Sequence, residues 1–169
     1  WEMIATQRIS RLLIVPSTLQ ASLDIPGFVA PPIRVLVLMG EYVRSQLAGR
    51  TMHAFPDFTR IFSIYGSTEA SSTIVCDLKA SYQPGEELPL GTPLSPEVRA
   101  LVLDAHLKRV PPGEVGTLYI AGPPLFTGYF KDPELTAAAF VTSPEFKERL
   151  YDSHDQVRLM PNGDLRFVG

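Results

Sequence analysis

Cysteine occurs once, at Cys76. One thiol excludes an internal disulfide framework and a multi-cysteine zinc site. A chain so poor in cysteine reads as belonging to a reducing, cytoplasmic compartment. No charge pattern near Cys76 activates it, so it reads as a small core residue. Long apolar runs are also lacking. The longest lie at 12–15, 35–39 and 137–141, far short of the about 20 residues that cross a bilayer. No signal peptide opens the chain, and no membrane partner is expected. Basic charge is not in excess: 15 Lys and Arg stand against 18 Asp and Glu, for a net charge of −3. That balance gives no basic face for a nucleic acid. His53, His106 and His154 are far apart and show no metal-ligand spacing. What is present is ordinary globular composition, 45% hydrophobic and 20% charged over 169 residues, enough for one domain with a real core.

Proline and glycine are plentiful, at 16 and 12 residues, and many fall between short apolar runs. The chain begins at Trp1 and stops at Gly169, directly after a strand-like stretch, which reads as an internal piece of a longer protein. Residues 1–10 fit the tail of a helix, and 11–15 a short strand or helix end. Pro16 fits a helix start, where its missing N–H costs little. Residues 33–39 form a nearly continuous aliphatic run ended by Gly40, the signature of a strand buried on both faces. Residues 41–48 fit a helix stopped by Gly49. Residues 60–65 form a second such strand, ended by Gly66. Strand, helix, strand at this spacing predicts a parallel βαβ unit. After Lys79 the character changes. Short strands are predicted at 98–104 and 117–121 with a turn at 111–114, a helix at 134–141, and a hairpin turn at 161–164 joining 156–160 to 165–168. The expected fold class is therefore α/β followed by β-rich: a partial parallel sheet layer over 1–80, then a small antiparallel β-barrel over 81–169.

Tyr65-Gly66-Ser67-Thr68-Glu69 sits at the carboxyl end of a predicted strand, where ligands bind in open α/β sheets. Gly66 permits a sharp turn and close backbone approach. Ser67 and Thr68 offer hydroxyls and N–H groups suited to phosphate oxygens. Glu69 adds the hard carboxylate that Mg²⁺ prefers when it also bridges phosphates. Tyr65 offers an aromatic face on which a base can stack. A turn capped by Ser or Thr accounts for the same five residues equally well. No Gly-Lys-Ser/Thr follows, so this is not a Walker A loop.

Ile64-Tyr65-Gly66-Ser67-Thr68-Glu69-Ala70 resembles the Tyr-Gly-x-Thr-Glu motif of the adenylate-forming superfamily, which includes nonribosomal peptide synthetase adenylation domains, acyl-CoA synthetases and luciferases. The resemblance continues in order along the chain. It runs from the strand ending in Gly40-Glu41 through Leu90-Gly91-Thr92-Pro93 and the Gly113-Glu114 to Gly122 segment. It then takes in Gly128-Tyr129 with Pro133-Glu134-Leu135-Thr136 and Phe140, and ends on Tyr151-Asp152-Ser153-His154-Asp155 and Gly163-Asp164-Leu165. The set looks closest to amino-acid-activating domains.

The resemblance implies that the full-length protein joins an amino or carboxylic acid to ATP, releases pyrophosphate, and passes the acyl group to a thiol. That thiol belongs to the phosphopantetheine of a carrier-protein domain or to CoA. By carry-over, Tyr65 packs on adenine, and Gly66 and Ser67 lie along the nucleotide. Thr68 and Glu69 are catalytic: Thr68 bonds a phosphate oxygen and Glu69 holds Mg²⁺. Gly40 and Glu41 lie by their backbone near the base, and Asp155 grips both ribose hydroxyls, its two oxygens matching a cis-diol. The acyl pocket maps to Ile14, Val37, Met39, Ile64, Ser72 and Thr73.

The sequence departs from the family at three places. His154 stands where a Gly is usual, Ser63 where Asn or Asp is common, and Thr117 where Glu is common. A glycine position with positive φ would strain His154. The Lys-bearing phosphate loop and the C-terminal domain with its catalytic Lys fall outside the chain, so this piece alone is expected to be inactive. An acyl-CoA synthetase or a β-alanine-type activating enzyme is the alternative within the superfamily. A degenerate scaffold that does not catalyse is the alternative outside it.

Overall fold

The apolar runs read as strands do pair side by side. In the computed structural model, which describes residues 1–143 and 145–169, β1 (Arg11–Ile14), β2 (Val35–Met39) and β3 (Arg60–Ser67) are parallel neighbours. Helix α1 (Glu2–Thr6) precedes them, α2 (Pro16–Leu23) follows β1, and α3 (Ser45–Ala54) connects β2 to β3. Pro16 opens α2 at the first helical position, as its missing N–H favours. β4 (Ser71–Asp77) and the short β5 (Thr92–Pro93) complete a sheet of order β1-β2-β3-β4-β5. Helix α4 (Leu78–Ser81) follows β4, its first turn capped by the Asp77 carboxylate, which accepts from the N–H groups of Lys79 and Ala80.

The chain clusters into two units, residues 1–65 with 75–88 and residues 66–74 with 89–169. In the first, Leu36 and Leu38 of β2 and Ile61 of β3 are fully buried together with Leu19 of α2, Ala48 of α3 and Cys76 of β4. The expectation that β2 is buried on both faces is not met. Val35, Val37 and Met39 are only half-buried, alternating with Leu36 and Leu38, and Leu13 on β1 is 58% exposed. Only one face of this sheet carries the packed helices among the described residues.

Two local readings are also corrected. Helix α3 starts at Ser45 and runs through Gly49 to Ala54. Gly49 is not a stop: a Cβ there would lie 2.6 Å from the Tyr82 hydroxyl, so its small size makes room for that ring. Likewise β3 does not end at Gly66 but continues through it to Ser67. A Cβ on Gly66 would collide with the backbone carbonyl of Ser71 at the start of β4.

The second unit holds an antiparallel sheet: β6 (Arg99–Leu103), β7 (Val115–Ala121), β9 (Arg149–Leu159) and β10 (Leu165–Phe167), in the order β10-β9-β7-β6, with β8 (Phe140–Thr142) against β9. It forms a curled half-barrel where a small barrel is expected. Its core joins Leu101, Leu103, Tyr119, Ala121 and Leu150. Gly113 and Gly163 take positive φ of 98° and 89° in the two predicted turns. Helix α5 (Pro133–Ala138) is capped by the Asp132 side chain, which accepts from the Leu135 N–H at 2.8 Å. It is shorter than predicted because Phe140 and Val141 leave it to pair with Tyr151 and Leu150. Strand β9 is longer than predicted, since it absorbs the polar stretch 152–156. Among the described residues no helix is long and apolar enough to cross a membrane.

Gly66→Ala forces two backbones apart, and overpacking of this kind costs about 1–3 kcal/mol. Chemical denaturation of the variant is expected to show that loss, and unchanged stability would refute the close approach at Gly66.

Candidate active site

An ionised carboxylate that leaves bulk water needs hydrogen-bond donors for both its oxygens. Glu69 has them. Its Oε1 accepts from the Tyr129 hydroxyl at 2.7 Å, and its Oε2 accepts from the Tyr151 hydroxyl at 3.3 Å. Its own carbonyl accepts from the Phe126 N–H at 2.7 Å. The Tyr129 bond, opposed by partial burial, holds the Glu69 carboxyl below the usual carboxylate range. The same bond pushes the Tyr129 phenol up to about 12. Tyr151 is also pushed up, first by burial, and the negative charges of Glu69 and Asp155 add to it.

Aromatic contacts hold the two phenols in place. Phe126 meets Tyr129 edge-on at 4.8 Å and stacks on Phe140 at 5.2 Å, and Phe140 meets Tyr151 at 6.2 Å. The Arg149 guanidinium lies 3.6 Å over Phe140 and donates to the Phe126 carbonyl at 3.0 Å. Such ring pairs add stabilisation beyond their buried area. Within the motif, the Ser67 hydroxyl accepts from the Ala70 N–H at 3.2 Å, fixing the turn, while Thr68 is exposed.

Asp155 sits in a bulge. Thr117 pairs with Gln156 and Tyr119 with Asp152, so Ser153, His154 and Asp155 all face Leu118 alone. Bulges re-aim side chains in this way. The Ser153 hydroxyl donates to the orphaned Leu118 carbonyl at 2.7 Å and accepts from the Asp155 N–H at 3.2 Å. His154 takes φ of +61°, the left-handed conformation that costs a residue with a Cβ about 1–2 kcal/mol. The strain foreseen at this position is present. Asp155 itself is half-buried.

The remaining candidates lie as follows. Gly40 turns with φ of +92°. The Glu41 carboxylate is engaged at the start of α2, accepting from the Ser17 N–H at 2.9 Å and hydroxyl at 2.8 Å. Tyr65 is half-buried at the end of the first unit. Of the pocket candidates, Met39 registers with Ile64, and Val37 lies two residues before Met39, so all three share a sheet face. Ile14 registers with Leu38 and packs on the opposite, core face. Thr73 is fully buried, and Ser72 beside it is half-buried.

The donor set also limits what metal the site suits. No cluster of three or more His, Cys, Asp or Glu able to hold a metal occurs among the described residues. One ionised carboxylate beside neutral hydroxyls fits Mg²⁺ that arrives with phosphates, the mode in which that ion keeps most of its other ligands from substrate and water.

The family model described as AMP-binding enzyme matches residues 1–130. The chain belongs to that family. It is 36% identical over 165 residues to a linear gramicidin synthase of Brevibacillus parabrevis, covering 96% of this chain and 2% of that protein. The nonribosomal peptide synthetase FmoA3, solved with α-methyl-L-serine-AMP, superposes with a TM-score of 0.89 at 28% identity, over 99% of this chain and 20% of that one. The four-domain synthetase AB3403, solved with AMP and glycine, gives 0.86 at 29% identity, over 99% and 12%. The chain therefore spans a small part of the relatives it matches.

In this member of the AMP-binding enzyme family, sequence reasoning missed Tyr129 and Tyr151 as partners of Glu69, and Asp152 and Tyr119 as supports of the bulge. Both tyrosines lie inside recognised motifs, but no local spacing pairs them with position 69.

The alkaline titration of the phenols checks this geometry. Tyr119 is pushed from 10.0 up to about 12, by burial first and then by the charge and hydrogen bond of Asp152. Its folded value is raised, so its contribution to stability is complete below the unfolded value and is lost as pH climbs towards about 12. Tyr119→Phe is expected to remove that alkaline loss, and an unchanged pH–stability curve would refute it.

Proposed function

We propose that the full-length protein activates an amino or carboxylic acid as its acyl-adenylate and passes the acyl group to the phosphopantetheine thiol of a carrier-protein domain. The observation that carries this reading is the Glu69 carboxylate of the Tyr65–Glu69 turn, both of whose oxygens are oriented by the neutral hydroxyls of Tyr129 and Tyr151. In the reaction the acid's carboxylate oxygen attacks the α-phosphorus of ATP, the bond to the bridging oxygen breaks, and pyrophosphate leaves. Little covalent work falls to the protein, so positioning and charge stabilisation dominate.

The donors present support the following roles. Thr68, exposed beside the turn, donates its hydroxyl to a phosphate oxygen. Glu69 stays ionised and presents its carboxylate to Mg²⁺. That ion, when bound, offsets negative charge building on the phosphate oxygens. Asp155 accepts from the two ribose hydroxyls. Gly66 and Ser67 supply backbone along the nucleotide, Tyr65 packs on the adenine, and Gly40 and Glu41 approach the base by their backbone. The engagement of the Glu41 carboxylate with Ser17 supports that last role, because it leaves only main chain for the base. Val37, Met39 and Ile64, on one half-buried sheet face, are proposed to line the acyl pocket with Ser72 and Thr73. Ile14 lies on the core face with Leu38 and is not proposed for this pocket.

Identity to a peptide synthase favours a carrier-bound acceptor over CoA. A hydrolysis-resistant acyl-adenylate analogue is expected to bind the full-length protein, and ATP–pyrophosphate exchange is expected to require one acid from a panel together with Mg²⁺. Glu69→Gln is expected to lower kcat about 10²-fold, the scale of losing one electrostatic stabiliser of the transition state. Failure of every acid in the panel to support exchange would refute the proposal, as would full activity of Glu69→Gln.

A further inference from the structure

The bulge that carries Asp155 is held by a residue with no assigned role. Asp152 opens it. One carboxylate oxygen, Oδ1, accepts from the His154 N–H at 2.8 Å and lies 3.4 Å from His154 Nδ1. The other, Oδ2, accepts from the Tyr119 hydroxyl at 3.1 Å. Tyr119 is 7% exposed, fixed in the core of the second unit. Asp152 thus ties the strained backbone of His154 to a rigid ring on the neighbouring strand. Ser153 ties the other side of the bulge to Leu118 and to the Asp155 N–H. Beyond the bulge, Gln156 Nε2 donates to the Thr117 hydroxyl at 2.8 Å. The left-handed φ of +61° at a histidine is unfavourable on its own. It persists only where surrounding contacts over-determine it, and such strain gathers at functional sites.

We propose that Asp152, locked to Tyr119, is a positioning residue: it holds His154 in the left-handed conformation and so aims the Asp155 carboxylate at a ribose diol. This rests on the ribose role of Asp155 proposed above. Without Asp152, the His154 N–H loses its acceptor and the backbone relaxes towards negative φ. Relaxation rotates the next residue, Asp155, away from its direction, and displacements near 1 Å at such a group cost up to about 10²-fold.

The test uses the full-length protein and two nucleotides, ATP and its 2′,3′-dideoxy analogue, with dissociation constants measured by calorimetry. The ratio of the two affinities reports the ribose contact alone, which a general loss of stability does not move. Asp152→Ala is expected to lower that ratio about tenfold in folded protein, whereas Asp152→Asn, which keeps an acceptor oxygen for the His154 N–H, is expected to retain it. Tyr119→Phe removes one arm of the lock without emptying the core and is expected to lower the ratio in part. It decides the matter if Asp152→Ala does not fold. Asp155→Ala is the control for the underlying reading and is expected to bring the ratio near one. A normal ratio in both Asp152→Ala and Tyr119→Phe, with the Asp155→Ala ratio collapsed, overturns the positioning role and leaves the ribose reading standing. A normal ratio in Asp155→Ala overturns both.

Discussion

The second unit is organised around satisfying one carboxylate. Glu69 is half-buried in a tight turn, and both its oxygens accept from side-chain hydroxyls. Tyr129 and Tyr151 provide them, from a loop and from a long strand. Each donor in turn needs its ring fixed. Phe126 and Phe140 do this by direct contact, and Arg149 clamps the pair from above. Several features that look unrelated in sequence follow from the same requirement. Phe140 must leave helix α5 to reach Tyr151 across the β8–β9 pairing. The loop at 126 must approach Glu69 closely enough for a backbone bond. Gly66 must lack a Cβ so that β3 and β4 can come together beside the turn.

A second constraint acts on β9. Eleven residues pair with a shorter β7, and the surplus is gathered where Ser153, His154 and Asp155 face Leu118. A bulge leaves an unpaired carbonyl, and Ser153 satisfies it. It also calls for a residue at positive φ, and glycine would meet that demand without strain. Histidine stands there instead. The arrangement survives because Asp152 accepts the His154 N–H and is itself held by a buried phenol. Under the nucleotide reading, this strand geometry and the Glu69 turn serve one ligand from opposite ends: phosphates at the turn, sugar at the bulge.

The sequence made local features legible and left remote ones hidden. Pro16 marks a helix start because its ring restricts φ wherever it occurs, and Pro161 to Asp164 marks a hairpin turn because Gly163 tolerates positive φ. The Tyr65–Glu69 motif and Asp155 were legible as candidates through an ordered set of short motifs. Three kinds of information were not local. Gly49 reads as a helix stop until Tyr82 is seen lying against it. Strand β4 begins with serines and a threonine, so its apolar half alone gave too weak a signal, and its neighbours lie elsewhere in the chain. The phenols around Glu69 come from positions sixty and eighty-two residues away, which no periodicity within a window can pair. The pocket candidates show the same limit. Alternation separates Ile14 from Val37 only once the strand register is known.

The choice of phenols around Glu69 carries a chemical consequence. A lysine or arginine in place of Tyr129 would satisfy the same oxygen and would also neutralise it, since an ion pair at this distance cancels most of the local field. A tyrosine hydroxyl satisfies the oxygen and carries no charge until far above neutral pH, and the bond to Glu69 raises that limit further. The carboxylate is therefore oriented and kept ionised while its full negative charge remains available. That combination suits a group whose partner is a divalent cation arriving with a nucleotide, because the cation meets an oriented anion and displaces no competing positive charge. A positioning carboxylate can be held by a phenol as well, as Asp152 is by Tyr119. What sets Glu69 apart is that both its oxygens take neutral hydroxyl donors while its acid form is disfavoured, an arrangement that fits the nucleotide reading.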